Sequence, residues 1–264
     1  MRFSVLGPLT ANHDGKGVPL GGLRQRTALA FLLLHPNTSV STQRLIGALW
    51  GANEPTTARK SVQNALSRLR KAFLTPDQSG DAPVALRTES RGYVLRIPPE
   101  HIDLGRHHLL LERGARELAD RSWEAAVRTL REALGLWRGE VLADLVEAGI
   151  EWPELAVVRE ARWKALEDRI VADLMLGRHR EVVAELGLAA DAEPVRERLC
   201  RLHMVALYRT GRQTDALEVY RRTRSVLAER FGTGPGPRLR DLEQCVLAHD
   251  PELTAPGAVL RLAA

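Results

Sequence analysis

Between Thr56 and Phe73 the side chains able to hold an anion or read a base recur at helical spacing. At 100° per residue, Lys60, Asn64, Ser67 and Lys71, flanked by Gln63 and Arg68, share an arc that contains no acidic residue. Ala58, Val62, Ala65, Leu66, Leu69 and Phe73 gather on the opposite arc, which must face a core. Arg and Lys reach phosphates or guanine edges, and Asn and Gln pair bidentately with adenine. The first arc therefore carries the side chains of a major-groove reader. A basic helix face that is merely solvated is the alternative.

The segments around this helix decide how it is presented. Phe3-Ser4-Val5-Leu6 reads as a short strand, and Thr10 to Leu20 as a hairpin turning at His13-Asp14-Gly15. A buried helix from Arg24 to Leu34 ends at His35-Pro36-Asn37. Ser41 caps a second helix through Leu45, Ile46 and Leu49, stopped by Trp50-Gly51, and the third begins after Glu54-Pro55. Val84 to Thr88 and Tyr93 to Ile97 alternate around Glu89-Ser90-Arg91-Gly92, as a terminal hairpin does. Three helices and then a hairpin make a winged helix, in which the third helix enters the major groove. The hairpin tip then puts Arg91 against the neighbouring backbone or minor groove. Arg24 and Arg26, near the start of the first helix, either bind phosphate or are solvated.

Charge supports a polyanionic partner. Cut at Pro98-Pro99, residues 1–98 carry 13 basic and 5 acidic side chains, hence +8, and the remainder 25 and 28, hence −3. With 264 residues, two domains are expected, 1–98 and 99–250, with 251–264 as a frayed, flexible tail.

The second domain reads as almost wholly helical, and it repeats. Leu176-Gly177-Arg178 recurs 34 residues on as Thr210-Gly211-Arg212, each leading into a helix, the period of tetratricopeptide repeats. A weaker copy aligns Trp123-Glu124-Ala125-Ala126-Val127 and Leu130 with His179 to Val183 and Leu186. Stacked helix pairs leave a concave face that binds peptides or proteins. Ala216, Leu217, Tyr220 and Leu227 read as core rather than as a ligand stripe.

Several classes are excluded as expectations. No apolar run approaches a bilayer span, and Gly7-Pro8 interrupts any signal-peptide core, which points to the cytoplasm. Gly15-Lys16-Gly17 lacks the Walker pattern, and Gly232 to Gly236 terminates a helix rather than holding a dinucleotide. His101, His107 and His108 have no further ligand at metal spacing. Cys200 and Cys245 read as reduced, buried thiols. The expectation is a non-enzyme without metal or cofactor.

The runs Arg24-Gln25-Arg26 to Leu34, Leu45-Ile46 to Trp50-Gly51, Leu66-Ser67-Arg68-Leu69-Arg70 and Arg91-Gly92-Tyr93-Val94-Leu95 resemble the Streptomyces antibiotic regulatory protein family. So do Leu136-Trp137-Arg138-Gly139, Arg196-Glu197-Arg198-Leu199, Ala206 to Gln213 and Pro235-Gly236-Pro237. The similarity runs in order from about residue 3 to 251, with His107 standing where the family tends to have an aromatic or apolar residue. It implies a mainly α fold with a small β component: an OmpR-like winged helix, then a tetratricopeptide-like bacterial transcriptional activator domain. It also implies an activator of a secondary-metabolite gene cluster that binds direct repeats in promoter DNA as a tandem homodimer and contacts RNA polymerase holoenzyme. In OmpR-like domains the loop before the recognition helix takes part in that contact; here it is Gly51, Ala52, Asn53 and Glu54. Relatives often append an ATPase or sensor domain, for which this chain is too short, so regulation is expected mainly at the level of expression, with an unrecognised ligand of the repeat domain as the alternative. The rival readings are a tetratricopeptide adaptor for an acidic protein or RNA, and a DNA-binding repressor.

Overall fold

A computed structural model describes residues 1–73, 84–255 and 257. The chain packs as two compact units, Met1–Leu110 with Glu132–Arg162 and Leu111–Arg131 with Trp163–Ala264.

The first unit opens with an antiparallel sheet of β1 (Arg2–Ser4), β2 (Thr10–His13) and β3 (Lys16–Gly17), in which Phe3 lies opposite Ala11 and Asn12 opposite Gly17. Asp14 and Gly15 both have positive φ, 49° and 80°, the backbone that a two-residue hairpin turn demands. Three helices come next: α1 (Leu23–Leu34), α2 (Thr42–Trp50) and α3 (Ala58–Phe73). α1 buries every residue from Thr27 to Leu33, so it is enclosed on all sides. Ser41 caps α2, its hydroxyl accepting from the Arg44 amide at 3.1 Å. α3 starts two residues later than its pattern suggests, because the Ala58 amide closes a turn onto the Pro55 carbonyl at 2.9 Å.

The wing is β4 (Ala85–Glu89) paired antiparallel with β5 (Gly92–Arg96), Leu86 opposite Leu95. Val40 adds a third rung, exchanging both backbone hydrogen bonds with Tyr93 at 2.8 and 2.9 Å. A Cβ on Gly92 would stand 2.1 Å from the Val40 carbonyl oxygen, so this approach admits only glycine.

The first unit does not end at Pro98-Pro99. α4 (Asp103–Ala119) begins with a buried carboxylate that accepts from the amides of Val5 at 2.8 Å and Leu6 at 3.0 Å. Beyond α5 (Trp123–Gly135) the chain returns: the Leu142 amide donates to the Val5 carbonyl at 2.9 Å. Asp144, in α6 (Ala143–Val146), accepts from the Leu9 amide at 2.7 Å. Just before α7 (Pro153–Met175), the Trp152 indole donates to the Ala48 carbonyl at 3.1 Å and stands edge-on to Phe31, with centroids 5.1 Å apart. Val141, Leu142, Leu145, Trp152 and Leu155 thus join one buried cluster with Phe3, Leu6 and Leu29. Removing them from water needs both stretches of chain, which is why the packing boundary departs from the expected cut.

The second unit stacks the helices α8 (His179–Ala192), α9 (Glu197–Arg209), α10 (Gln213–Phe231) and α11 (Pro237–Leu247). Gly177 and Gly211, with φ of 77° and 79°, end helices in the same way. The amide of each glycine bonds a carbonyl three residues back, and the next amide one five back, as in a Schellman motif. Arg121 (φ 56°) and His249 (φ 52°) close the same pair of bonds. The weak upstream copy is therefore the same turn, and a further one, at 249, lacks the Gly-Arg pair that marks the turns at 177 and 211.

Beyond residue 249 the chain stays packed for several residues more, which corrects the expectation of a frayed tail from 251. Pro251–Thr254 is a short 3₁₀ helix with Leu253 buried, and Arg209 donates to the carbonyls of Leu253 at 2.8 Å and Ala255 at 2.5 Å. The rest of the expected tail, apart from Gly257, lies outside the described residues. Cys200 is buried and its sulfur accepts from the Thr223 hydroxyl at 3.1 Å, whereas Cys245 is only half-buried.

Candidate nucleic-acid interface

α3 has two faces. Ala58, Val62, Ala65, Leu66 and Leu69 are no more than 5% exposed, while Lys60, Gln63, Asn64, Ser67, Arg68 and Lys71 are all exposed. The side chain of Phe73 lies outside the described residues. Arg70, on the flank, pins the helix to the wing: its Nε donates to the Leu86 carbonyl at 2.9 Å and a terminal nitrogen to the Thr88 hydroxyl at 2.6 Å. Its guanidinium also lies 6.0 Å from the Tyr93 ring centroid. At the tip of the wing Arg91 is exposed, and Arg96, at the base, reaches along the hairpin to bond Glu89 at 2.8 Å.

The two arginines of α1 part company. Arg24 is exposed and borders, with Gln25, Ser61, Asn64 and Arg68, a depression of about 170 Å³. It therefore shares a surface with the acid-free arc. Arg26 is half-buried and ion-paired with Asp144, so the structure opposes the expectation that it is available for phosphate. Arg59 on α3 and Arg87 on β4 are exposed cations that sequence reasoning passed over. The alternation of buried Leu86 with Arg87 was the signal for the latter.

Gly51, Ala52, Asn53 and Glu54 are all exposed. The loop is held by the Asn53 amide on the Trp50 carbonyl at 3.0 Å and by Gln43, which donates to Glu54 at 3.3 Å.

His107 is fully buried with neither ring nitrogen hydrogen-bonded, and it packs edge-on against Trp137 with centroids 5.6 Å apart. Burial drives its pKa down to about 4, so the ring is neutral and serves as an aromatic wedge. Among the described residues no group of three or more His, Cys, Asp or Glu is arranged to hold a metal, and no helix is long and apolar enough to cross a membrane.

Residues 20–95 match the transcriptional regulatory protein, C-terminal family, and residues 102–247 the bacterial transcriptional activator domain. The chain belongs to the Streptomyces antibiotic regulatory protein family. Within this family it is 34% identical to the regulatory protein DnrI of Streptomyces peucetius over 268 residues, covering all of this chain and 98% of DnrI. Against the regulatory protein AfsR of Streptomyces coelicolor it is 40% identical over 263 residues, 98% of this chain but only 25% of AfsR. The solved structure of Mycobacterium tuberculosis EmbR in complex with a low affinity phosphopeptide superimposes with a TM-score of 0.88 at 36% identity, over 99% of this chain and 68% of that one. The chain is thus a transcriptional regulator of mainly α architecture, a winged helix joined to tetratricopeptide-like helices.

Proposed function

We propose that the protein is a sequence-specific activator that binds double-stranded promoter DNA through α3 and the wing. Its target is a secondary-metabolite gene cluster, where two protomers sit in tandem on direct repeats. The observation that carries this reading is the exposed, acid-free arc of α3, backed by a buried apolar face and tied to the wing through Arg70. Asn64 and Gln63 read bases, Ser67 and Arg68 complete the arc, and Lys60, Lys71, Arg24 and Arg91 hold phosphates. The exposed loop from Gly51 to Glu54 contacts RNA polymerase holoenzyme.

Selection of bound duplexes from a random pool by the full chain at about 0.15 M salt tests the reading, because weak nonspecific binding is suppressed there. A short motif repeated on one DNA face is the expected product. Recovery of no motif by folded protein overturns it. For the loop, Glu54→Ala leaves DNA binding intact and lowers transcription in vitro; unchanged transcription removes the loop from the contact.

A further inference from the structure

The turn between α7 and α8 and the end of α9 enclose a pocket of about 350 Å³ in the second unit, lined by Arg178, His179, Arg180, Glu181 and Arg209. Its charges are unevenly answered. Arg178 bonds the fully buried Asp173 at 3.2 Å, but Arg131 and Arg169 reach the same carboxylate, and of these Arg169 alone has a second partner among the described residues, Glu185. Arg209 donates to the carbonyls of Leu253 and Ala255 and, at 3.0 Å, to Nε2 of His179. All three acceptors are neutral.

Since arginine only donates, Nε2 of His179 must accept, and its Nδ1–H donates to the Gly177 carbonyl at 2.9 Å. The imidazole is thereby fixed as a neutral bracket. Among the described residues Arg209 is hydrogen-bonded but has no ion pair, and burial pushes its pKa below the usual guanidinium value. Arg180 is exposed and carries no ion pair among the described residues. Glu181 opposes an anion, but it is the only carboxylate in the lining.

We propose that this pocket binds a small phosphate-bearing molecule. Guanidinium forks match phosphate oxygens in pairs, and a dianion supplies the charge that Arg209 and Arg180 lack. The volume is at the lower end for small-ligand sites. The lining is arginine, imidazole and backbone, unlike the apolar walls that select hydrocarbon ligands. This site lies in the second unit, and the α3 surface in the first.

The test titrates pyrophosphate into the ¹⁵N-labelled full chain at constant ionic strength and monitors individual amides. Saturable shifts are expected at Gly177, His179 and Thr210. Arg180→Ala weakens the affinity read there by about tenfold, the loss of one charge-assisted contact, and Arg180→Lys recovers only part of it, because it keeps the charge but not the fork. Arg180 is on the surface, so its variants keep the fold even if changes at Arg209 release residues 251–255. Shifts confined to the first unit, or an affinity that Arg180→Ala leaves unchanged, overturn the proposal.

Discussion

The Nε of Arg70 donates to the carbonyl of Leu86 across 2.9 Å, joining the last turn of α3 to the first strand of the wing. With the Thr88 contact at 2.6 Å, one side chain spans both parts of the surface that would meet DNA. The two parts therefore reach a duplex already oriented to each other.

Removing that link separates geometry from charge. Arg70→Ala costs about 1.5–3 kcal/mol in urea unfolding, the range for hydrogen bonds from a charged donor, and also weakens DNA binding. Arg70→Lys keeps the charge but not the fork, so it recovers little of either. Full recovery by lysine would show that charge alone matters at this position.

Asn64→Ala and Gln63→Ala lower affinity by about 1–3 kcal/mol and relax preference at particular bases. Lys60→Ala and Lys71→Ala weaken all sequences alike and reduce the salt slope by about one unit. Arg24→Ala behaves as the lysine variants do. Arg26→Ala leaves the slope unchanged and lowers stability instead, because its partner is Asp144. Binding isotherms at several salt concentrations separate the three groups.

The face of α3, the Ser41 cap and the Asp14-Gly15 turn were legible in the sequence because each rests on a rule a few residues long. Arg70 was not, since its role depends on Leu86, sixteen residues away across a separate element. Nor was the return of Asp144 and Trp152 to the first unit, whose partners Leu9 and Ala48 lie more than a hundred residues upstream. Periodicity identifies a buried face but does not say what buries it.

The turn at Arg121 offers a gain in stability. Its φ of 56° is the conformation that Gly177 and Gly211 adopt without a Cβ penalty. Arg121→Gly raises unfolding free energy by about 0.5–1 kcal/mol, and Gly177→Ala lowers it by about 1 kcal/mol or more. Equal stability of Arg121→Gly and the parent chain would contradict this.

His107 links stability to pH. Its folded pKa is about 4 against an ordinary 6.5, so between these values the unfolded chain binds more protons and stability falls as pH drops. The full interval is worth about 3 kcal/mol. His107→Phe flattens that part of the profile and adds about 1 kcal/mol at pH 7 by removing two unsatisfied ring nitrogens. His203, also lowered to about 4 by burial, leaves a residual slope in the same window. Denaturant unfolding from pH 4 to 7 reads both.

Trp152→Ala destabilises by about 3–5 kcal/mol, as the loss of a large buried side chain does. A fragment ending at Pro98 lacks that ring and the Asp103 carboxylate, and shows no cooperative unfolding transition. A sharp transition in the fragment would mean that the segment 132–162 is dispensable.

That interleaving also sets the order of events during synthesis. When the wing leaves the ribosome, β1 still awaits Asp103, and α1 awaits the Trp152 ring, so the helices bearing the proposed DNA-reading surface must persist half-covered until residue 162 emerges. The nascent chain would then be unable to engage a promoter before the first helices of its activator region are made.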